Sequence, residues 1–168
     1  TVSYGYGMSV SLLHLAKAYA ILGNGGLNIE PTILKKNHNS QSGARVLKKT
    51  TSDEMLKLLE AVVTDQRGTA RILRSKYYRI GGKTGTAEKI SLEKKGYQKD
   101  KVVANFVGLF PLQEPRFVIA AFLDEPENNL LQEPCRYASC TVVPMVKKLI
   151  ERTGPLMNVT PDNQALMF

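Results

Sequence analysis

Two long apolar runs constrain this chain more than any other feature. From Val102 to Phe110 and from Arg116 to Asp124 the residues are almost continuously apolar, with valine and phenylalanine prominent. Runs of this length and character read as strands buried on both faces. The stretch between them, Pro111-Leu112-Gln113-Glu114-Pro115, is short enough for a hairpin turn. Two adjacent antiparallel strands must then find helices to cover them.

A third strand is predicted just upstream. Tyr77-Tyr78-Arg79-Ile80 is an aromatic and β-branched approach to Gly81-Gly82-Lys83-Thr84-Gly85-Thr86-Ala87. Side chains alternate along a strand, so Lys83 and Gly85 share one face and Thr84 and Thr86 share the other. That arrangement suits an edge strand beside a cleft. Paired hydroxyls can grip a carboxylate, an ammonium supplies positive field, and a residue without a side chain lets a substrate backbone lie close.

The helical segments flank this trio. Ser11 is the predicted N-cap of a helix from Leu12 to Leu22, with Leu12, Leu15, Ala16, Tyr19 and Leu22 on one stripe. Gly23-Asn24-Gly25-Gly26 ends it. Pro31–Leu34 and Arg45–Leu47 are expected to pair as a small hairpin around the polar stretch Lys35–Ala44, which is expected to be mobile. Thr51 and Glu54 have capping-box spacing ahead of a helix bearing Met55, Leu59, Val62 and Val63. Thr69 is predicted to cap a short helix from Ala70. Glu88 to Lys101 reads as a charged loop with five lysines. A final helix is predicted from Tyr137 to Arg152, with Pro144 tolerable only near its first turn and Gly154-Pro155 as its stop. The expected domain is 1–153, followed by a poorly ordered tail, 154–168.

Composition narrows the functional classes. A chain of 168 residues supports one domain with a real core. No apolar run approaches the roughly 20 residues of a membrane span, and the start lacks a signal-peptide pattern. It begins at Thr1, so it is expected to be a processed or excised piece. The net charge of +8 reads first as a solvated basic surface. RNA binding would call for aromatics interleaved with the basic residues, and the lysine-rich loop offers only Tyr97. Cys135 and Cys140 share one segment, with His14 and His38 remote in sequence, so a zinc site is not expected. They read as free thiols, with a local disulfide as the alternative. His14 and the lysines of the loop read as surface residues, and Tyr4 and Tyr6 as packing residues.

Several motifs then stand in one order. Gly5-Tyr6-Gly7-Met8-Ser9-Val10 precedes Leu15-Ala16-Lys17-Ala18-Tyr19-Ala20, Asn24-Gly25-Gly26 and Pro31. Gly68-Thr69-Ala70 precedes Lys83-Thr84-Gly85-Thr86-Ala87, then Phe106–Pro111, Pro115-Arg116-Phe117 and Asp124-Glu125-Pro126. Lys-Thr-Gly is a signature of penicillin-binding proteins and class A β-lactamases. From about Ser3 to Thr153 the set resembles the C-terminal half of the transpeptidase domain of class B penicillin-binding proteins, most of all the septal, division-specific peptidoglycan D,D-transpeptidase.

The resemblance implies an α+β fold of the β-lactamase/transpeptidase type, an antiparallel sheet flanked by helices. It implies that Lys83 supplies positive field near a nucleophilic serine. The Thr84 and Thr86 hydroxyls would hold a carboxylate beside Gly85, and the Thr86 backbone N–H would be an oxyanion donor. It implies no metal and no organic cofactor. The implied partners are the D-Ala-D-Ala stem peptide, β-lactams, the upstream half of the same domain and divisome membrane proteins, with no nucleic acid. The implied place is the periplasmic face of the bacterial inner membrane, with the anchor outside this chain. The alternatives are a non-catalytic basic binding module, or a β-lactam sensor or β-lactamase-like domain on the same scaffold.

The family's nucleophile, a serine followed three residues later by lysine, has one formal match here, Ser91-Leu92-Glu93-Lys94. It follows the Lys-Thr-Gly strand and lies in a charged loop, where a lysine keeps its ordinary protonation, so it reads as a coincidence. A Ser-x-Asn triplet is absent. The chain is therefore expected to hold half of an active site. Ala138-Ser139 stands where the family usually has paired glycines, and both residues are small enough for close helix-to-sheet contact.

Overall fold

The computed structural model describes residues 5, 8–35, 43–90, 96–127 and 134–162. Its centre is a meander of three antiparallel strands: β3 (Gly81–Ile90), β4 (Tyr97–Phe110) and β5 (Phe117–Asp124), in that spatial order. The two apolar runs pair as expected, from Val103 opposite Asp124 to Phe110 opposite Phe117. The lysine-rich stretch differs from its expectation as a loop. β3 continues to Ile90 and β4 starts at Tyr97, so most of the stretch extends a hairpin, with a register shift between Glu88 and Lys89. Residues 91–95, including the Ser91–Lys94 match, lie outside the described residues, as do Tyr4 and Tyr6.

One sheet face carries Ala104, Phe106 and Phe110 against α3 (Val142–Leu156), whose Val142, Val143, Val146 and Ile150 are buried there. Tyr78 stands edge-on to Phe110 at 5.9 Å between ring centres and belongs to the same core. The other face buries Leu109 with Leu59 and Leu112, flanked by Tyr19, Leu22 and Leu56. These come from α1 (Leu12–Gly23) and α2 (Lys49–Thr64). The buried Ser52 hydroxyl of α2 donates to the Leu22 carbonyl of α1, so the two helices are tied by a hydrogen bond as well as by packing.

Helix α1 begins as predicted, with the Ser11 hydroxyl accepting the His14 N–H. Its end uses Gly25 and Gly26, both at positive φ. A side chain at Gly26 would collide with the Leu47 carbonyl, 2.2 Å from an added Cβ. The small hairpin is shifted from its expectation: β1 (Leu27–Asn28) pairs with β2 (Ala44–Arg45), and Pro31–Leu34 is not a strand.

Four other boundaries move. Helix α2 starts at Lys49, so Thr51 lies inside it and the capping box is not formed; a Lys49–Asp53 ion pair at 2.7 Å braces the first turns instead. Tyr77–Ile80 is not yet strand, because the Arg79 carbonyl accepts the Leu112 N–H at 2.8 Å and its guanidinium is held by Glu60. Helix α3 starts at Val142, with Pro144 in its first turn, and runs past Gly154 to Leu156. Gly154 is inside the helix because the Tyr78 ring rests on it. The chain after the helix is also packed: Val159 is buried in the core and the Asp162 N–H donates to the Tyr77 carbonyl at 2.7 Å. Finally, Cys135 and Cys140 form a disulfide, correcting the reading of free thiols.

Candidate active site

Among the described residues strand β3 is an edge strand, paired on one side with β4. Its glycines are set by what lies across the ladder. A Cβ on Gly82 would meet the Phe106 ring at 2.4 Å, and one on Gly85 would meet the Asn105 side chain at 2.6 Å. Gly85 thus makes room for a cross-strand amide, a constraint the sequence did not disclose. Between and beyond these two glycines stand Lys83, Thr84 and Thr86.

The alternation read from sequence holds. Thr84 and Thr86 pair with Phe106 and Ala104 and share the α3 face, and Lys83 pairs with Val107 on the opposite face. The Lys83 ammonium is exposed and donates to the Thr84 carbonyl at 2.8 Å. The two hydroxyls each have a partner. Thr84 Oγ1 lies 2.7 Å from Thr69 Oγ1. Thr86 Oγ1 accepts the Ala138 N–H at 3.1 Å.

These partners decide which way the hydroxyls can donate. A threonine hydroxyl has one hydrogen and two lone pairs. With one lone pair of Thr86 taken by Ala138, its hydrogen is left for another acceptor. If Thr69 donates to Thr84, the Thr84 hydrogen is released in the same way. The pair is then a two-donor clamp on an exposed strand.

Thr69 was expected as a helix cap. It is not one, since the turn that follows is a short 3₁₀ segment (Arg71–Leu73) without a side-chain cap. Sequence reasoning does not identify Thr69 and Ala138 as hydrogen-bond partners of the two candidate hydroxyls, although Gly68-Thr69-Ala70 is visible as a motif and Ala138 as a small residue in place of glycine.

The surroundings carry charge of both signs, with the cationic side beside Thr69. A hollow beside Thr69 is lined by Arg67, Arg71, Arg74 and Ser139. Two of these arginines are anchored to backbone carbonyls, Arg71 to Gln66 and Arg74 to Val63 and Thr64. A second hollow beside Thr86 is lined by Arg136, Tyr137, Glu88 and Glu127. At the far end of β3, Lys89 bridges Asp124 at 3.0 Å and Glu125 at 2.8 Å. Hydrogen bonds to Glu125 and Asp124 hold its pKa above the ordinary lysine value. Among the described residues no His, Cys, Asp or Glu group could hold a metal ion.

The family profile described as "Penicillin binding protein transpeptidase domain" matches residues 1–150. The chain belongs to the penicillin-binding protein transpeptidase family. Among curated relatives, the "Probable peptidoglycan D,D-transpeptidase FtsI" of Caulobacter vibrioides is 33% identical over 166 residues, covering 95% of this chain and 28% of the relative. Among solved structures, the apo transpeptidase domain of penicillin-binding protein 3 from Burkholderia pseudomallei superposes with a TM-score of 0.83 at 38% identity. That match covers 96% of this chain and 47% of the other. Penicillin-binding protein 3 of Mycobacterium tuberculosis, complexed with aztreonam, gives a TM-score of 0.73 at 27% identity, over 94% of this chain and 38% of the other. The chain thus spans less than half the length of each of these proteins. The α+β arrangement expected from the sequence is the arrangement of this penicillin-binding transpeptidase domain.

Proposed function

We propose that this chain is the cleft-lining C-terminal half of a serine D,D-transpeptidase that cross-links peptidoglycan stem peptides during septal wall synthesis. In this reading the chain is a partial transpeptidase domain, and its packed part extends past 153 through the end of α3 to Val159 and Asp162. The nucleophilic serine, its lysine and the Ser-x-Asn triplet come from an upstream half of the same polypeptide. The Thr84 and Thr86 hydroxyls hold the terminal carboxylate of the D-Ala-D-Ala donor. The serine attacks the penultimate carbonyl, the Thr86 N–H helps bear the developing oxyanion, and D-alanine leaves. A donor of that kind is worth about 3 kcal/mol of barrier. Lys83, on the opposite side of the strand, adds positive field around the serine.

One observation carries the reading: two threonine hydroxyls share one face of β3, that of Thr86 accepting the Ala138 N–H and so keeping its hydrogen to donate, and that of Thr84 paired with the Thr69 hydroxyl, which releases the Thr84 hydrogen when Thr69 is the donor. The arginine-lined hollow supports an anionic substrate, and the aztreonam complex of the mycobacterial relative supports β-lactams as ligands. The disulfide supports an oxidising compartment, in keeping with action at the periplasmic face of the inner membrane beside divisome membrane proteins.

The test is acylation by labelled penicillin. This chain alone should form no covalent adduct, and the full-length polypeptide carrying it should form one per molecule. An adduct on Ser91 of the isolated chain would overturn the assignment of the nucleophile to the upstream half. In the full-length protein, Thr84→Val with Thr86→Val should slow acylation by one to a few powers of ten, since charge-assisted hydrogen bonds contribute about 1.5–3 kcal/mol each. An analogue lacking the carboxylate should be nearly indifferent. Equal losses for both compounds would make the threonines structural.

A further inference from the structure

The Cys135–Cys140 disulfide closes a short loop over Tyr137 and Ala138. Ala138 is buried, and its carbonyl accepts the Val143 N–H at 3.0 Å while its own N–H donates to Thr86 Oγ1. The Tyr137 carbonyl accepts the N–H groups of Cys140 at 3.1 Å and Thr141 at 3.2 Å. The loop's backbone bonds therefore run in two directions, to the start of α3 and to the site strand. The loop also separates the two hollows. Ser139 lines the arginine-rich one, and Pro134, Arg136 and Tyr137 line the other.

We infer that this disulfide is a positioning element for Thr86. It holds the Ala138 N–H against Thr86 Oγ1, and that bond sets the direction in which the hydroxyl donates. The inference rests on the reading of Thr86 as a carboxylate ligand. The physical step is simple. A free threonine hydroxyl can turn its hydrogen toward any acceptor. An N–H fixed on one lone pair turns the hydrogen away from the loop. Opening the crosslink gives the loop back its conformational freedom, and the N–H no longer stays on the oxygen. A crosslink that served stability alone would act on the whole fold and leave no trace specific to Thr86.

Two measurements separate these roles. The first is amide hydrogen exchange on the chain with the disulfide intact and as Cys135→Ser with Cys140→Ser. The Ala138 amide should exchange about tenfold faster in the variant, with Val146 and Ile150 in α3 unchanged. Unchanged protection at Ala138 overturns the inference. So does a uniform rise across α3, provided that Cys135→Ala with Cys140→Ala shows it too.

The second measurement is a double-mutant cycle in the full-length protein, reading acylation by a carboxylate-bearing β-lactam and by its ester. The cysteine variant should slow the carboxylate compound about tenfold and spare the ester. In the Thr86→Val background it should add nothing further. Additive losses, or equal losses on the ester, overturn the inference. If Thr86→Val itself fails to distinguish the two compounds, the carboxylate reading falls, and the exchange result still judges the disulfide.

Discussion

Gly82 and Gly85 are three positions apart on one strand, yet they are small for different reasons. Gly82 is closed off by the Phe106 ring and the Val107 carbonyl, at 2.4 and 2.6 Å from an added Cβ. Neither can move without disturbing the sheet. Gly85 is covered only by the end of the Asn105 side chain. Gly82→Ala should therefore cost about 3 kcal/mol, the upper part of the overpacking range, and Gly85→Ala about 1 kcal/mol. Adding Asn105→Ala should restore the stability of Gly85→Ala and do nothing for Gly82→Ala, as read by chemical denaturation. The same pair tests the reading of Gly85 as the place where a substrate backbone lies close. If substrate does lie there, Gly85→Ala with Asn105→Ala recovers its fold in the full-length protein and stays slow in acylation. Thr69 gives a second prediction at this scale. Thr69→Val removes the partner of Thr84 and leaves both clamp hydroxyls in place. Its effect on acylation should be about three- to tenfold, smaller than that of the double threonine change, and confined to the carboxylate-bearing compound.

At the scale of elements, helix α3 shows how a glycine and a proline can mislead. Gly154-Pro155 has the composition of a helix stop, but the helix continues to Leu156. An added Cβ on Gly154 would lie 2.6 Å from the Tyr78 hydroxyl oxygen. Gly154→Ala should lower stability by about 1–3 kcal/mol by pushing α3 off the sheet, although alanine is the better helix former. A thermal midpoint that rises instead would show that the tyrosine yields. The strands were the legible part of this fold, because long apolar runs between prolines have few other ways to be buried. The approach Tyr77–Ile80 was misread for a related reason. Its apolar residues are buried as Tyr78 and Ile80, but in the core beside α3 and not in the ladder. That Thr84 and Thr86 share one face of the strand was legible from alternation. Their partners Thr69 and Ala138 were not, since each is brought to the strand by tertiary packing across 15 and 52 positions. The disulfide was illegible for the same reason. A separation of five residues says nothing about the 6.2 Å between the Cα atoms that lets the bond form.

For the whole molecule, the titrating groups with resolved shifts all point one way. Burial raises the Tyr19 pKa above 10.0, and the acidic partners Glu125 and Asp124 raise Lys89 above 10.5. Arg79, hydrogen-bonded to Glu60, is raised as well, and in each case the folded chain holds its proton more tightly than the unfolded chain does. Their contribution to stability is complete below about pH 10 and is lost as pH rises through the folded values. The chain should therefore be insensitive to pH near neutrality on their account and lose stability above pH 10. Tyr19→Phe should flatten that alkaline slope, since it removes the buried phenol and keeps the ring. Denaturant titrations at a series of alkaline pH values would show it, and an unaltered slope would place the loss elsewhere.

The meander has one further consequence, which concerns the order of assembly. β3, β4 and β5 are neighbours in space in the order in which they occur in the chain. Each ladder closes over a short hairpin and forms at small loop-closure cost. Helix α1 packs on residues of β4 and β5 about a hundred positions away, as Tyr19 and Leu22 do with Leu109 and Val118. The strand that bears Lys83, Thr84 and Thr86 thus belongs to the most sequence-local part of the chain. In folding it can be a template already in place when the distant helices dock.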